Sequence, residues 1–254
     1  MRHNPMPGHR KVGRREEGLM IELHKASDRG VSRLDWLDSR HSFSFAGWHD
    51  PSRMGFRSLR VLNEDRVAPG AGFGPHPHRD MEILTIVLEG ALEHRDSSGA
   101  RTVLRAGDVQ RMSAGSGVTH SEWNGSDEVA VHFLQIWLQP ARVGTAPSHV
   151  EACGLFPIGS GAPAGMRALA ADAGEVGVLR IQQDAKIFAG RADANAPLHH
   201  ALAAGRGAWV QTARGKLIVN GRPLATGDGL SIEDEPGVVL SGDPDGDFLL
   251  FDLA

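Results

Sequence analysis

One cysteine, Cys153, is all the thiol this chain of 254 residues carries. That excludes an internal disulfide, and the chain neither needs nor implies an oxidising compartment. No basic or histidine residue flanks Cys153 closely, so it reads as a bystander thiol. Long apolar runs are also missing, since no window approaches the roughly 18 residues that a membrane helix needs. Nor is there an excess of positive charge: 27 Lys and Arg stand against 31 Asp and Glu, for a net charge of −4. A nucleic acid would find no basic footprint here. Near the N-terminus, MRHNPMPGHRKVGRREEG has the twin arginines Arg14 and Arg15, but Glu16 and Glu17 follow where a secretion signal requires an apolar core. Residues 1–19 are therefore expected to be a flexible tail, with His3 and His9 solvated, on a protein of the cytoplasm.

Helical periodicity is scarce as well. What the chain has instead is short apolar runs cut by 32 glycines and 14 prolines. LRVLNEDRV, EILTIVLEG, ALEHRD, RTVLRAGDVQRM and AVHFLQIWLQP read as strands of four to eight residues at regular spacing, the pattern of an all-β sandwich or barrel. DSSGA, residues 96–100, reads as the turn of a hairpin. From Pro140 to Gly165 the texture loosens into a Pro-, Gly- and Ala-rich connection, after which strand-like runs resume. The two stretches echo each other. Each runs glycine, strand, turn, strand, then a Gly-Asp turn (Gly107-Asp108 and Gly227-Asp228), then another strand. Gly-Asp suits a tight turn because Gly accepts positive φ and Asp bonds its own backbone. The expected organisation is a duplicated β-domain: a tail at 1–19, a first domain at 20–140, and a linker with a second domain at 141–254.

Chemistry concentrates in the first half. His76 and His78 are two apart on a strand, so they project to one face, where two imidazoles can converge on a metal. His120 and Glu122 repeat that spacing after a glycine-rich turn. Three imidazoles and a carboxylate make a mixed N/O site with no thiolate, which argues against structural zinc and leaves open coordination positions for substrate or oxygen. Glu82 is a second candidate carboxylate, having the parity to face inward with His76 and His78. Other histidines carry less. A turn separates His94 from His78 and resets the parity, so His94 is expected at the surface. His132 either lines a cavity or sits in its strand. His199 and His200 are adjacent and face opposite ways, so the second domain is expected to hold no metal. GAGFG has the wrong spacing for a dinucleotide loop, and HSE at 120–122 lacks the Pro-Cys-x-x-Cys partner of a zinc deaminase. Phe43, Phe45, Phe56 and Phe73 are expected to be mainly core.

These residues also form two motifs, G-x5-H-x-H-x3-E (Gly70, His76, His78, Glu82) and G-x5-S-x-G-x4-H-x3-N (Gly107, Ser113, Gly115, His120, Asn124), which resemble the paired motifs of cupins. In the form FGPHPHRDMEILTIVLEG with MSAGSGVTHSEWN, and with WLDSRHSFSFAGWHDPSRMGFRSLRVLNED upstream, the chain resembles the pirin family of bicupins from about Met20 to its C-terminus. Ser113 stands where the general cupin pattern has proline, and two extra residues separate Gly115 from His120; both departures are pirin-like. The resemblance implies two tandem cupin domains of jelly-roll type. It implies one divalent metal on His76, His78, His120 and Glu122, with Fe(II) the first choice and Mn, Ni, Cu or Zn behind it; in a general cupin the carboxylate would be Glu82. It further implies dioxygenase activity on a flavonol such as quercetin, or a related aromatic enol, with O2, Glu122 handling the hydroxyl proton and carbon monoxide leaving. The alternative that the family offers is a non-enzymatic metal-binding regulator that meets a transcription factor or metabolic enzyme. Neither reading calls for direct contact with nucleic acid or a membrane.

Overall fold

A computed structural model describes residues 21–157, 162–172, 176–243 and 246–254. The expected tail, with His3 and His9, lies outside the described residues. Among the described residues, apart from one 3-10 turn at Ala26–Asp28, the regular elements are all strands, arranged in four sheets. No helix among the described residues is long and apolar enough to cross a membrane. In the first half, a seven-stranded sheet runs in the order Ser148–Ala152, Val109–Ser113, Glu82–Glu89, Val131–Leu138, Leu59–Val67, Leu37–His41, Gly30–Leu34. A four-stranded sheet, Gly72–His78, Val118–Asn124, Ala91–Asp96, Arg101–Arg105, completes that half. The second half repeats the plan. Its large sheet is Ile21–His24, Gly229–Ile232, Gly207–Arg214, Asp247–Leu253, Ala185–Arg191, Gly165–Ala171, Leu179–Arg180, and its small sheet is Leu198–Ala201, Gly237–Gly242, Lys216–Val219, Arg222–Ala225. The architecture is two tandem cupin folds of jelly-roll type.

The duplication extends to single hydrogen bonds. Gly107 and Gly227 have φ of 91° and 85°, a left-handed conformation that glycine adopts without strain. The side chain of Asp108 accepts from the Arg105 amide at 2.8 Å, and that of Asp228 from the Ala225 amide at 2.9 Å. The same turn chemistry thus recurs at the same place in each half. Both large sheets also gain an edge strand from elsewhere in the chain. Ile21–His24, ahead of the first half, pairs with Gly229–Ile232 in the second. Ser148–Ala152, in the connection, pairs with Val109–Ser113 in the first.

Strand parity decides what each face does. Along Glu82–Glu89, Leu84, Ile86 and Leu88 enter a core shared with Trp209, Leu249, Phe251 and Leu253 of the second half. Val87, on the opposite face, joins Leu37, Leu92 and Phe133 inside the first cup. Trp209 anchors the shared core, with Phe43 at 4.9 Å and Phe56 at 6.0 Å between ring centroids. The second cup is filled by apolar side chains including Val210, Leu217, Leu240 and Leu250. The first cup keeps open space beside its core, and the functional candidates line it.

Candidate metal centre

Two neighbouring strands of the small sheet build the site. Gly72–His78 and Val118–Asn124 run antiparallel, with His76 opposite His120 and His78 opposite Val118. Along the second strand Val118, His120, Glu122 and Asn124 are buried while Thr119 and Trp123 are exposed, the period-two alternation of a strand with one face inward. The register slips between His120 and Glu122. The three imidazoles form a nearly equilateral triangle, with ring centroids 4.4 Å apart for His76–His120, 4.7 Å for His78–His120 and 4.8 Å for His76–His78. Nitrogen atoms of all three lie within 4.8 Å of one another, and a carboxylate oxygen of Glu122 lies within the same distance of ligand atoms on His120 and His94.

Burial sets the charges here. It lowers the pKa of His78 to about 4, with the charge of His76 adding to the effect. It lowers that of His120 to about 2, with the neighbouring His76, His78 and His94 contributing. These rings are therefore neutral near pH 7 and keep a lone pair for an electrophile. Glu122 moves the other way, to about 7, because burial outweighs the opposing hydrogen bond from Gln135, and the charge of Asp65 adds to the rise. Burial likewise raises Asp65 to about 7.

The donor set fits a divalent ion. Nδ1 of His76 donates to the carbonyl of Gly74 at 2.8 Å, which leaves its Nε2 bare. Nε2 of His120 is buried and has no hydrogen-bond partner among the described residues. An unpaired nitrogen inside a protein is costly unless something outside the chain satisfies it, and a metal ion does so. Three imidazoles with a carboxylate suit borderline divalent metals.

Above the triangle lies a cavity of about 310 Å³, whose walls include Phe45, Phe73, Ile83 and Trp137 with the polar Asn63 and Asp65. Trp137 sits edge-on to His78, with ring centroids 4.8 Å apart, and packs against Phe45 at 5.4 Å. The four phenylalanines thus divide: Phe45 and Phe73 line the cavity, whereas Phe43 and Phe56 belong to the core shared by the halves.

Glu82 is placed elsewhere. It is buried, its Oε2 accepts from the hydroxyl of Ser113 at 2.8 Å, and burial raises its pKa against the nearby charge of Arg111. Thr85, three residues on and of opposite parity, is the residue of this strand that reaches Glu122, at 3.4 Å. The parity expected to bring Glu82 inward is lost at the turn after His78, where Asp80 adopts a positive φ of 48°. His94 also departs from expectation. It is 0 % exposed rather than at the surface, because its strand pairs with Val118–Asn124 and sets it opposite Glu122. His132 is held in its strand by Glu64 at 2.9 Å, and His200 bonds Asp252 at 2.8 Å. Sequence reasoning missed Gln135, whose Nε2 donates to Glu122. The available signal was an amide in an otherwise apolar strand, VHFLQIWL, since a polar side chain on a buried strand requires a partner.

Known proteins resemble this chain over most of its length. Residues 24–138 match the Pirin family, and residues 168–253 match the quercetinase C-terminal cupin domain. The quercetin 2,3-dioxygenase of Escherichia coli K12 is 43% identical over 234 residues, covering 92% of this chain and 99% of that protein. A pirin-like protein of Caulobacter vibrioides is 38% identical, covering 92% of this chain and 100% of its own. The crystal structure of the bacterial pirin YhhW from Escherichia coli in complex with nickel(II) superposes with a TM-score of 0.86 at 41% identity, covering 92% of this chain and 99% of that one.

Proposed function

The chain belongs to the pirin family, and from that footing we propose that it is a metal-dependent dioxygenase that opens a flavonol such as quercetin, or a related aromatic enol, with O2 and release of carbon monoxide. The observation that carries this reading is the partnerless Nε2 of His120 within a triangle of imidazoles, at the floor of a cavity walled by Phe45, Phe73 and Trp137. His76, His78, His120 and Glu122 would hold one divalent ion, Fe(II) by first choice. The metal would belong to the half at 20–140, and the half at 141–254 would carry none. When bound, such an ion supplies Lewis acidity, lowering the pKa of a hydroxyl that reaches it.

The chain's own residues do the rest. Phe45, Phe73 and Trp137 present flat apolar surface to an aromatic ligand and displace water from it. Glu122, which lines the cavity, accepts the flavonol hydroxyl proton as a carboxylate can. Gln135 secures Oε2 of Glu122 at 2.6 Å, while the bond from Thr85 to Oε1 is long at 3.4 Å. Oε1 is therefore the less engaged of the two oxygens. Asn63 and Asp65, on the cavity wall, offer hydrogen-bonding groups to ring hydroxyls.

Oxygen uptake with quercetin tests the proposal, comparing metal-loaded protein with a His76→Ala variant after metal content has been measured. Uptake well above the variant is expected. Equal uptake from a wild-type protein that does contain metal would overturn the enzymatic reading in favour of a metal-binding regulator.

A further inference from the structure

An imidazole that ligates through one nitrogen must place its hydrogen on the other, and the wall behind His120 dictates that choice. His120 lies opposite Asp96 across the strand pair. The fully buried ring of His94 bridges the two residues. Nε2 of His94 is 3.1 Å from Oδ2 of Asp96, and Nδ1 of His94 is 3.4 Å from Nδ1 of His120. Nε2 of Gln110 donates to the same Nδ1 of His94 at 3.2 Å.

The hydrogens along this line follow from the acceptors. Oδ1 of Asp96 is taken up by the Ser98 amide at 2.8 Å, the Ser98 hydroxyl at 2.6 Å and the Ala100 amide at 3.2 Å. Oδ2 is therefore the oxygen presented to His94, and a carboxylate oxygen can only accept. His94 must then carry its hydrogen on Nε2 and a lone pair on Nδ1. That lone pair is shared between the Gln110 amide at 3.2 Å and the hydrogen on Nδ1 of His120 at 3.4 Å. The lone pair of His120 is consequently on Nε2, the buried nitrogen with no hydrogen-bond partner among the described residues, on a ring grouped with His76 and His78. His149, on the connecting strand Ser148–Ala152, stacks on His94 with ring centroids 4.8 Å apart and an interplanar angle of 11°, which keeps the bridging ring in place.

We infer that Asp96 and His94 are positioning residues of the metal centre, which hold His120 in its Nδ1–H tautomer and so keep Nε2 as the metal donor. The inference rests on the metal-binding reading of the site. Its test begins without metal. In protein labelled with 15N-histidine, the imidazole proton–nitrogen correlation spectrum is expected to show His120 protonated at Nδ1. Asp96→Asn keeps an oxygen for the turn but offers His94 an amide donor. His94 should then reverse, and His120 should move its hydrogen to Nε2. Nickel(II) affinity, measured by chelator competition, should fall about 10- to 100-fold. A second pair of variants separates hydrogen bonding from packing. His94→Gln retains an acceptor for His120 and should bind nickel nearly as tightly as wild type. His94→Phe fills the ring volume without an acceptor and should lose roughly the same 10- to 100-fold. An unchanged His120 tautomer with wild-type affinity in Asp96→Asn, or tight binding by Phe with loss by Gln, would overturn the inference. A wild-type protein that bound no nickel would instead overturn the metal reading, while the tautomer of metal-free His120 would still judge the role of Asp96 and His94.

Discussion

Gln135 and Glu122 meet 2.6 Å apart inside the first cup, amide nitrogen to carboxylate oxygen. They come from different sheets, Gln135 from the central strand Val131–Leu138 of the large sheet and Glu122 from Val118–Asn124 of the small one. Thr85 ties the pair together by donating to Oε1 of Gln135 at 3.1 Å. A buried carboxyl is thereby given a fixed orientation instead of solvation.

Glu122→Gln tests what that carboxyl does. The amide preserves volume and an acceptor oxygen but cannot take a proton. Bound metal should be largely retained, while turnover of quercetin falls by about 10²- to 10⁴-fold, the usual contribution of a positioned acid or base. Metal analysis alongside steady-state kinetics checks both halves, and normal turnover would remove the proton role.

His78→Ala and His120→Ala should each lose bound metal and keep the β-fold. The stability of the chain resides in its apolar cores, above all the one shared between the two halves, and not in the ion. Elemental analysis and circular dichroism on the purified variants provide the check. Full occupancy in either variant would count against that ligand.

Asp65 should make the metal-free protein less stable as pH rises. Burial raises its folded pKa to about 7 from the ordinary aspartate value of 3.8. Between those values the folded state binds more protons than the unfolded state. The stability it contributes is thus complete below 3.8 and is lost as pH climbs through 7. Asp65→Asn does not titrate. From pH 4 to 7.5 its unfolding free energy relative to wild type, measured by denaturant titration, should shift in the variant's favour by an amount on the order of a few kcal/mol. A constant gap across that range would show that the carboxyl is not raised.

Trp209→Ala should destabilise the whole chain by about 3–5 kcal/mol, the cost of removing a large buried aromatic and leaving a cavity. Phe43 and Phe56, from the first half, would lose the ring against which both pack. Denaturant titration measures the change, and a loss below about 1 kcal/mol would show that the halves do not depend on this contact.

The sequence by itself determined the local properties of this protein. Glycine placement and two-residue alternation specify strands and turns, so a duplicated β-domain, the matching Gly107-Asp108 and Gly227-Asp228 turns, and the shared facing of His76 with His78 could be read without coordinates. Alternation is a property of one uninterrupted strand, however, and it is lost at each turn. Tertiary structure therefore decided everything that depends on pairing between strands. It brought Glu122 next to His120 while the turn after His78 sent Glu82 to Ser113. It buried His94 behind the imidazoles and supplied Gln135 from a strand in the other sheet. It also carried Ile21–His24 across to the far half. Which side chains share a face within a strand follows from backbone geometry, but which strands lie side by side follows from how the two halves bury their apolar surfaces.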